Sequence, residues 1–394
     1  MIYFVVVFLM LILIFRYDIN ERERGRDQCY CIILIIMILI AGLRWRLGAD
    51  TTTYLYNFYH RTPTLHNFRF DEMTIGMNPF WSFFNSIILT IGGKFYVVQL
   101  LHATFINYLI FRYFKKHTKY IFTCAFFYFI WRYFNMNMQE MKASISVVLC
   151  LYGNDYFLEK KWIKGYGLFL LGCLFHFSTL LLIITPLFFF LRFNAKGYLI
   201  LALSFFMGFM IQSSFGDYLL FLDFDDRIEA KAETYMEGAE NSTVDLFRMS
   251  LTLIPPIIYT IISAIYLRKQ KENETVLKFE PFVVLSVIFN LISISIPIFY
   301  RYFHFYAIYA ILFISTFTIK YFKRETNLPL STNILHTAIL FFPLLLSIST
   351  YFIKSNNYKM YYPYSSIFNR KVDKEREDRF NVKLIRPVPD YNEY

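Results

Sequence analysis

Long apolar runs recur along the whole chain and are separated by short polar stretches. The first two cover residues 1–15 and 29–43, and the others lie at about 77–91, 95–113, 119–134, 143–158, 166–191, 197–212, 246–267, 281–299, 303–319 and 333–353. The hydrocarbon core of a bilayer takes about 20 apolar residues of helix, so each run approaches the length of a tilted span. Hydrophobic residues make up 57% of the chain, more than a soluble domain can bury. The pattern predicts an all-α polytopic membrane protein with about 12 transmembrane helices.

The run at 166–191 is the longest and allows two interpretations. It is either one steeply tilted helix or two half-helices that meet near His176. Residues 1–353 are expected to form a single polytopic transmembrane domain. Residues 354–394 are expected to form a polar C-terminal tail, most of it mobile, because the tail has few core-forming residues.

Basic residues are concentrated in short loops, and this bias predicts an orientation. The loop between the first two runs carries Arg16, Arg22, Arg24 and Arg26, and is therefore expected to be cytoplasmic. Residues 44–76 then form an external loop. A second external loop is expected at 213–245, which contains nine acidic residues and only two basic ones. This acidic loop either covers the first loop as a lid or is an ordinary solvated loop.

The same counting leaves one conflict. It places the basic cluster Lys115, Lys116 and Lys119 outside, unless one of the two preceding segments is re-entrant. The sequence does not decide between these alternatives.

Charged residues directly follow the second apolar run, in the stretch L-R-W-R-L-G-A-D-T-T-T-Y-L-Y-N-F-Y from Leu43 to Tyr59. The planar fork of an arginine binds phosphate oxygens in pairs, so Arg44 and Arg46 suit a lipid phosphate or pyrophosphate. Arginines beside a spanning helix also commonly anchor it among lipid headgroups. Both interpretations stay open.

Four short motifs follow one another along the chain. They are Arg44, Gly48, Asp50, Tyr54 and Phe58; then M-Q-E-M-K-A-S at 138–144; F-H-F-S at 175–178; and Y-Y-P-Y at 361–364. Together they resemble the motifs of the EpsG-type polysaccharide polymerases, relatives of the Wzy O-antigen and capsule polymerases. The second motif departs from the family pattern, since Lys142 stands where an arginine is expected. Lysine keeps the charge but loses the fork.

The resemblance implies a fold similar to multi-span lipid-sugar glycosyltransferases, and an enzyme in the bacterial inner (cytoplasmic) membrane. It would join undecaprenyl-pyrophosphate-linked oligosaccharide repeat units into a capsule, exopolysaccharide or O-antigen, with its active site facing the periplasm or exterior. Expected partners are this lipid-linked substrate, the bilayer, and flippase and chain-length regulator proteins. No nucleic acid, cofactor or metal is expected. A flippase or transporter of the same lipid, or a membrane O-acyltransferase, remains an alternative.

Ionisable residues near apolar segments are the candidates for the chemistry, because burying them in a bilayer is costly. His176 is the predicted catalytic base, with Asp50 as the other candidate, although a packed core histidine would have the same sequence context. The predicted substrate-binding residues are Arg44, Arg46, Lys142 and Arg301 for the pyrophosphate, and Tyr54, Gln139 and Ser178 for other contacts. Arg301 is flanked by aromatic residues and is equally typical of a membrane anchor.

Overall fold

The computed structural model describes residues 2–71, 78–212, 243–270, 274–324, 342, 357–371 and 373–380. Within these ranges the regular elements are all helical, and the only β pairing is an isolated bridge between Arg44 and Ser366. The α-helices are α1 (Ile2–Leu13), α2 (Arg26–Gly42), α3 (Thr51–His60), α4 (Pro79–Thr90), α5 (Phe95–His117), α6 (Ile121–Tyr128), α7 (Met141–Leu158), α8 (Trp162–Phe175), α9 (Ala195–Gln212), α10 (Thr243–Lys269), α11 (Glu274–Leu277), α12 (Glu280–Ser295), α13 (Tyr300–Arg324) and α14 (Lys374–Phe380). The predicted all-α fold is confirmed.

Two helical segments in the described part of the chain are long and apolar enough to cross a membrane, Ile2–Ile19 and Tyr300–Lys323. Several apolar helices are shorter, among them Trp162–Phe175 and Glu280–Ser295. The number of about 12 spans is therefore not confirmed and stays a prediction. The run at 333–353, apart from residue 342, and the acidic loop at 213–242 lie outside the described residues.

The chain divides into two compact units. The first contains the described residues up to Ile183 and those from Asn357 onward, and the second contains the described residues between Ile184 and Ser355. In the first unit, α2 packs along α5. The contact is close at Gly42, where an added Cβ would lie 2.6 Å from the Leu100 side chain. This close approach explains a glycine in the last turn of α2.

One end of the first unit gathers the basic loops. Lys115 Nζ lies 2.8 Å from Asp27 Oδ2, and Lys119 Nζ lies 3.1 Å from Glu21 Oε1. Arg26 also donates a hydrogen bond to the Lys119 carbonyl. We call this the basic end. The contacts place residues 115–119 beside the loop that follows α1, so both basic groups lie at one end, as the re-entrant alternative requires.

The shortness of helix α4 explains why residues 115–119 lie at the same end as the loop that follows α1. This helix has 12 residues, which is about 18 Å of helix and short of the roughly 30 Å hydrocarbon core. The chain also returns to its starting end between α3 and α5, because Tyr59 Oη, in α3, lies 3.3 Å from the Phe95 amide nitrogen that opens α5. We call this opposite end, which carries Arg44 and Tyr59, the Arg44 end.

Helix α6 continues into two π-helical turns, Phe129–Tyr133 and Asn135–Gln139, which reach the Arg44 end. A closed ring of buried hydrogen bonds holds them: Asn107 Nδ2 donates to Asn137 Oδ1 at 2.7 Å, Asn137 Nδ2 donates to Tyr128 Oη at 2.9 Å, and Tyr128 Oη donates to Asn107 Oδ1 at 3.2 Å. Buried polar groups need such partners. The ring therefore fixes where residues 138–140 emerge.

The long run at 166–191 is broken at His176. Helix α8 ends at Phe175, His176 is extended with φ −155° and ψ 114°, and a 3₁₀-helix covers Phe177–Phe188. Of the two interpretations of this run, the structure has the one with two helical pieces meeting near His176.

The C-terminal segment folds onto the Arg44 end. Ser365 O accepts a hydrogen bond from the Trp45 amide at 2.9 Å, Met360 O accepts one from Gly48 at 3.0 Å, and the Ile367 amide donates to Leu43 O at 3.0 Å. Residues 357–371, which we call the strap, are thus anchored to residues 43–48, while the expectation that most of the tail is mobile stays a prediction. Backbone pairing fixes the strap here, and such pairing leaves no mark in composition.

In the second unit, α12 packs against α9, α10 and α13. Glu280 opens α12 and is buried between two arginines, with its Oε2 3.6 Å from Arg192 Nε and its Oε1 3.3 Å from Arg268 Nη1. The Phe193 amide donates to the same carboxylate at 2.7 Å. A buried carboxylate needs such partners, and this one joins the ends of three segments.

Candidate functional site

Arg44 lies just beyond the end of α2 and is completely buried, with 0% of its surface exposed. Its Nη1 donates to the Ala41 carbonyl, its Nε donates to Leu47 O at 3.2 Å, and its Nη2 donates to Met141 Sδ at 3.3 Å. A cation at a helix C-terminus stabilises the last carbonyls. Burial lowers the pKa of Arg44 to about 10, so it remains charged at neutral pH.

Arg46 is also buried, and its fork holds a carboxylate of the chain itself. Nε donates to Glu377 Oε1 at 2.9 Å and Nη2 donates to Glu377 Oε2 at 2.7 Å. A phosphate was predicted to take this bidentate position on Arg46. Glu377 lies in α14, and nothing in the local sequence around Arg46 indicates it.

Gly48 brings the first two motifs into direct contact. It has φ +99°, and an added Cβ would lie 2.0 Å from the Met138 carbonyl oxygen. Thr51 Oγ1 lies 2.6 Å from Leu47 O and 3.1 Å from Met138 O. A glycine is required at position 48 both for its left-handed backbone and for the close approach of the π-helical turn.

Tyr54 and Lys142, two of the predicted site residues, lie together. Lys142 Nζ is 5.8 Å from the centroid of the Tyr54 ring, a cation–π distance. Aromatic contacts continue inward from Tyr54 to Trp81, with centroids 5.6 Å apart, and from Trp81 to His102, with centroids 6.3 Å apart. Met141, beside Lys142, joins this group to Arg44 through its sulfur.

His102 received no role from the sequence and is buried at the centre of this group. Its Nε2 lies 3.0 Å from Met141 O and 2.8 Å from Ser144 Oγ. Because the Ser144 hydroxyl donates to Met141 O at 2.9 Å, the imidazole Nε2 is the donor in both contacts. The only sequence signal that could have marked His102 as a candidate is the presence of a histidine in an apolar helix.

The remaining predicted residues at this end have different surroundings. Gln139 Nε2 lies 2.9 Å from Met360 Sδ, so it contacts the strap. Asp50 is exposed and precedes the first turn of α3, where its carbonyl accepts the Tyr54 amide at 3.0 Å. A carboxylate at a helix N-terminus is electrostatically favourable.

His176 and Ser178 form a local pair, with Ser178 Oγ 2.5 Å from His176 Nδ1. The break between α8 and the 3₁₀-helix that holds them lies beside the start of α7, because Ser146 Oγ donates to Gly172 O at 2.7 Å. If Nδ1 donates to Ser178, then Nε2 is the nitrogen that can accept a proton.

Arg301 lies in the second unit, in the first turn of α13, and its side chain is exposed. Its role in pyrophosphate binding stays a prediction.

Cationic side chains surround a small cavity next to Arg44. This cationic pocket is lined by Arg44, Arg46, Lys94 and Arg370, together with Trp45, Thr51, Leu55, Tyr59, Phe95, Tyr96, Gln99 and Ile367. Lys94 precedes α5, and Arg370 packs over the Trp45 ring at 5.0 Å. The cavity is about 20 Å³, room for about one water molecule. A pyrophosphate is too large for this cavity as it stands, and the strap supplies Arg370 and Ile367 to its lining.

Within the described residues, no group of three or more His, Cys, Asp or Glu side chains could hold a metal ion.

These features define a class: a strongly apolar protein, helical throughout its described residues, as expected of a membrane protein. Its Arg44 end is built from arginine, lysine and aromatic side chains. A model of the EpsG family matches residues 28–366, and the chain belongs to this family. The family is associated with polysaccharide biosynthesis. The match runs from α2 to the strap and includes the four motifs. No curated protein and no solved structure matches the chain.

Proposed function

We propose that the protein is a membrane glycosyltransferase that joins undecaprenyl-pyrophosphate-linked oligosaccharide repeat units into a surface polysaccharide. The observation that carries this proposal is the convergence of the first two family motifs at one end of the first unit. There Arg44 contacts Met141, and the neighbouring Lys142 lies over the Tyr54 ring. The cationic pocket lies against the same arginine.

The charges suit the leaving group of this reaction. The bond between the anomeric carbon of the donor and the pyrophosphate oxygen breaks, and the pyrophosphate leaves on its lipid with increased negative charge. Fixed cations that are already in place stabilise such charge in the transition state. Lys94 and Arg370 line the cationic pocket beside Arg44, and Lys142 lies over the Tyr54 ring, whereas the fork of Arg46 is paired with Glu377.

The acceptor hydroxyl gives its proton to a base as its oxygen bonds to the anomeric carbon. His176 is the first candidate because Ser178 can hold its Nδ1 and leave Nε2 to take the proton. Asp50, exposed beside α3 in the first motif, is the second candidate. Both belong to the first unit.

A deletion strain tests the reaction class. It is complemented with wild type or with variants, and the lipid-linked saccharides and surface polymer are measured. Single lipid-linked repeats on the outer face without polymer support a polymerase. Absence of exported repeats indicates a flippase, and an intact polymer lacking acyl groups indicates an acyltransferase.

The same strain tests the base. His176→Gln is expected to insert and accumulate normally and to slow polymerisation by about 100-fold to 10,000-fold. His66→Gln, at an exposed histidine in the 3₁₀-turn Leu65–Asn67, is the matched control and is expected to keep wild-type polymer. Near-normal polymer from His176→Gln together with none from Asp50→Asn would transfer the role to Asp50.

A further inference from the structure

A large cavity lies between four helices of the first unit. Its volume is about 670 Å³, and α4, α5, α7 and α8 line it. This volume falls within the roughly 300–1,000 Å³ typical of small-molecule sites. The cavity is separate from the cationic pocket, and neither the family motifs nor the predicted site residues include its lining, apart from Phe175.

The lining is almost wholly apolar and largely aromatic. Phe80 and Phe84 come from α4, Phe105 from α5 and Phe175 from α8. Thr104 also lines it, but its hydroxyl donates to Leu100 O at 2.8 Å within its own helix. Such a surface suits a hydrocarbon chain. It suits a sugar poorly, because the sugar hydroxyls need hydrogen-bond partners that an apolar lining does not provide.

The cavity opens along the outer face of α5. Leu101, Phe105 and Tyr108 all line it and are 44%, 42% and 50% exposed. In a membrane-embedded protein, exposed apolar side chains of this kind face lipid. A hydrocarbon chain can therefore enter sideways from the bilayer.

His102 connects the cavity to the charged end. It lines the cavity, while its Nε2 is bonded to Met141 O and Ser144 Oγ. Its Nδ1 is buried and has no hydrogen-bond partner among the described residues. Contacts lead from this histidine to Trp81, from Trp81 to Tyr54 and from Tyr54 to Lys142, and Met141, whose carbonyl binds the histidine, also contacts Arg44. A ligand that fits both surroundings has an apolar chain attached directly to an anionic head.

We propose that this cavity holds the first isoprene units of the polyprenyl chain of the lipid-linked substrate, with the phosphate end directed towards Lys142 and Arg44. The proposal rests on the proposed function and adds a subsite to it. From Leu101 to Tyr108 the lining of α5 extends about 10 Å, enough for a few isoprene units and not for the whole chain. The remainder of the chain lies in the bilayer. A polyprenyl phosphate carries a single chain directly on its phosphate, whereas a diacyl phospholipid places a glycerol and two chains there.

Photo-crosslinking tests the subsite without any turnover. The full-length protein, in nanodiscs, is exposed to a polyprenyl phosphate that carries a diazirine in its second isoprene unit, and the labelled peptides are mapped. Label is expected on α5 between residues 101 and 108 and on α8 near Phe175. Excess unlabelled undecaprenyl phosphate is expected to reduce this labelling about tenfold, and phosphatidylglycerol at the same concentration is not.

Two variants with equal exposure provide the control. Leu101→Trp fills the mouth of the cavity and is expected to lower the labelling about tenfold. Leu39→Trp, on the exposed face of α2, has no part in the lining, and both leucines are 44% exposed. It is expected to label like wild type. Wild-type labelling of Leu101→Trp, or equal competition by phosphatidylglycerol, would overturn the proposal.

The outcomes separate this proposal from the proposed function. Labelled cavity peptides in a protein whose deletion leaves polymer intact would reject the polymerase and keep the subsite. Polymer that depends on the protein, combined with no label on α5 or α8, would reject the subsite and keep the polymerase.

Discussion

At the scale of one residue, Arg44 depends on the planar geometry of its guanidinium group as well as on its positive charge. Its three nitrogens reach three acceptors in different segments: Ala41 O at the end of α2, Leu47 O in the following loop and Met141 Sδ at the start of α7. Five N–H donors in a fixed plane make this possible, whereas lysine has a single nitrogen. Position 44 therefore needs arginine for its geometry, whether or not it also touches the substrate.

We expect Arg44→Lys to lose most polymer and to destabilise the protein by about 1.5–3 kcal/mol, the usual cost of a lost hydrogen bond to a charged group. Thermal unfolding in detergent and polymer formation in the complemented deletion strain measure the two effects. Arg61→Lys is the control, because Arg61 packs its guanidinium over the Tyr56 ring at 5.9 Å, a contact that lysine can also make. Wild-type stability and polymer from Arg44→Lys would contradict this account.

At the scale of elements, α14 and the strap complete the Arg44 end from the far end of the sequence. The strap pairs its backbone with residues 43–48, and Arg376 of α14 donates to Lys359 O at 2.8 Å and to Pro363 O at 2.6 Å. Glu377 then holds the fork of Arg46. The strap also supplies Arg370 to the cationic pocket, so its position sets how much room an anion has there.

Glu377→Ala is expected to cost about 3–5 kcal/mol, because it leaves the buried Arg46 without its carboxylate. The double variant Arg46→Met with Glu377→Leu is expected to recover much of that loss, since it removes both charges together. A double-mutant cycle on thermal unfolding measures the coupling.

The control is Glu375→Ala in the same helix. Glu375 pairs with Lys359 but its side chain is 66% exposed, so its removal is expected to cost no more than about 1 kcal/mol. A Glu377→Ala variant as mild as Glu375→Ala would show that the buried pair contributes little.

At the scale of the whole molecule, the first unit separates its charged loops between two ends. Arg26, Lys115 and Lys119 meet at the basic end, and Arg44, Lys94 and Arg370 meet at the other. The basic end contains the short loops to which the positive-inside bias applies. The predicted orientation therefore has the basic end in the cytoplasm and the Arg44 end outside.

Cysteine labelling tests this orientation in intact cells, in a background where the five native cysteines are replaced by serine. Asp50→Cys is expected to react with a membrane-impermeant maleimide. Glu159 lies at the basic end, 3.9 Å from Lys116 Nζ, and Glu159→Cys is expected to react only after permeabilisation. Asp226→Cys, in the acidic stretch outside the described residues, is expected to behave like Asp50→Cys. Labelling of Asp50→Cys only from the cytoplasm would reverse the orientation.

Much of the architecture was predictable because it depends on local properties of the chain. Apolar runs marked the helices, and the long run with His176 at its middle allowed the break that the structure has. The first two motifs lie in contact, Lys142 with Tyr54 and Met141 with Arg44, while the roles of these residues stay predictions. Charge bias alone could not place residues 115–119. The side of a loop is assigned by counting the spanning helices before it, and α4, with 12 residues, is too short to be counted as one.

The sequence by itself determined an all-helical apolar chain of the EpsG family and the residues of its motifs. Only the tertiary structure decided what surrounds those residues: Glu377 in the fork of Arg46, Lys94 and Arg370 beside the cationic pocket, and the apolar cavity behind His102. The physical reason is the separation along the sequence of the residues that interact. Helix formation follows from residues three or four positions apart, whereas Arg46 and Glu377 are 331 positions apart, and the cavity is bounded by helices that no local pattern brings together.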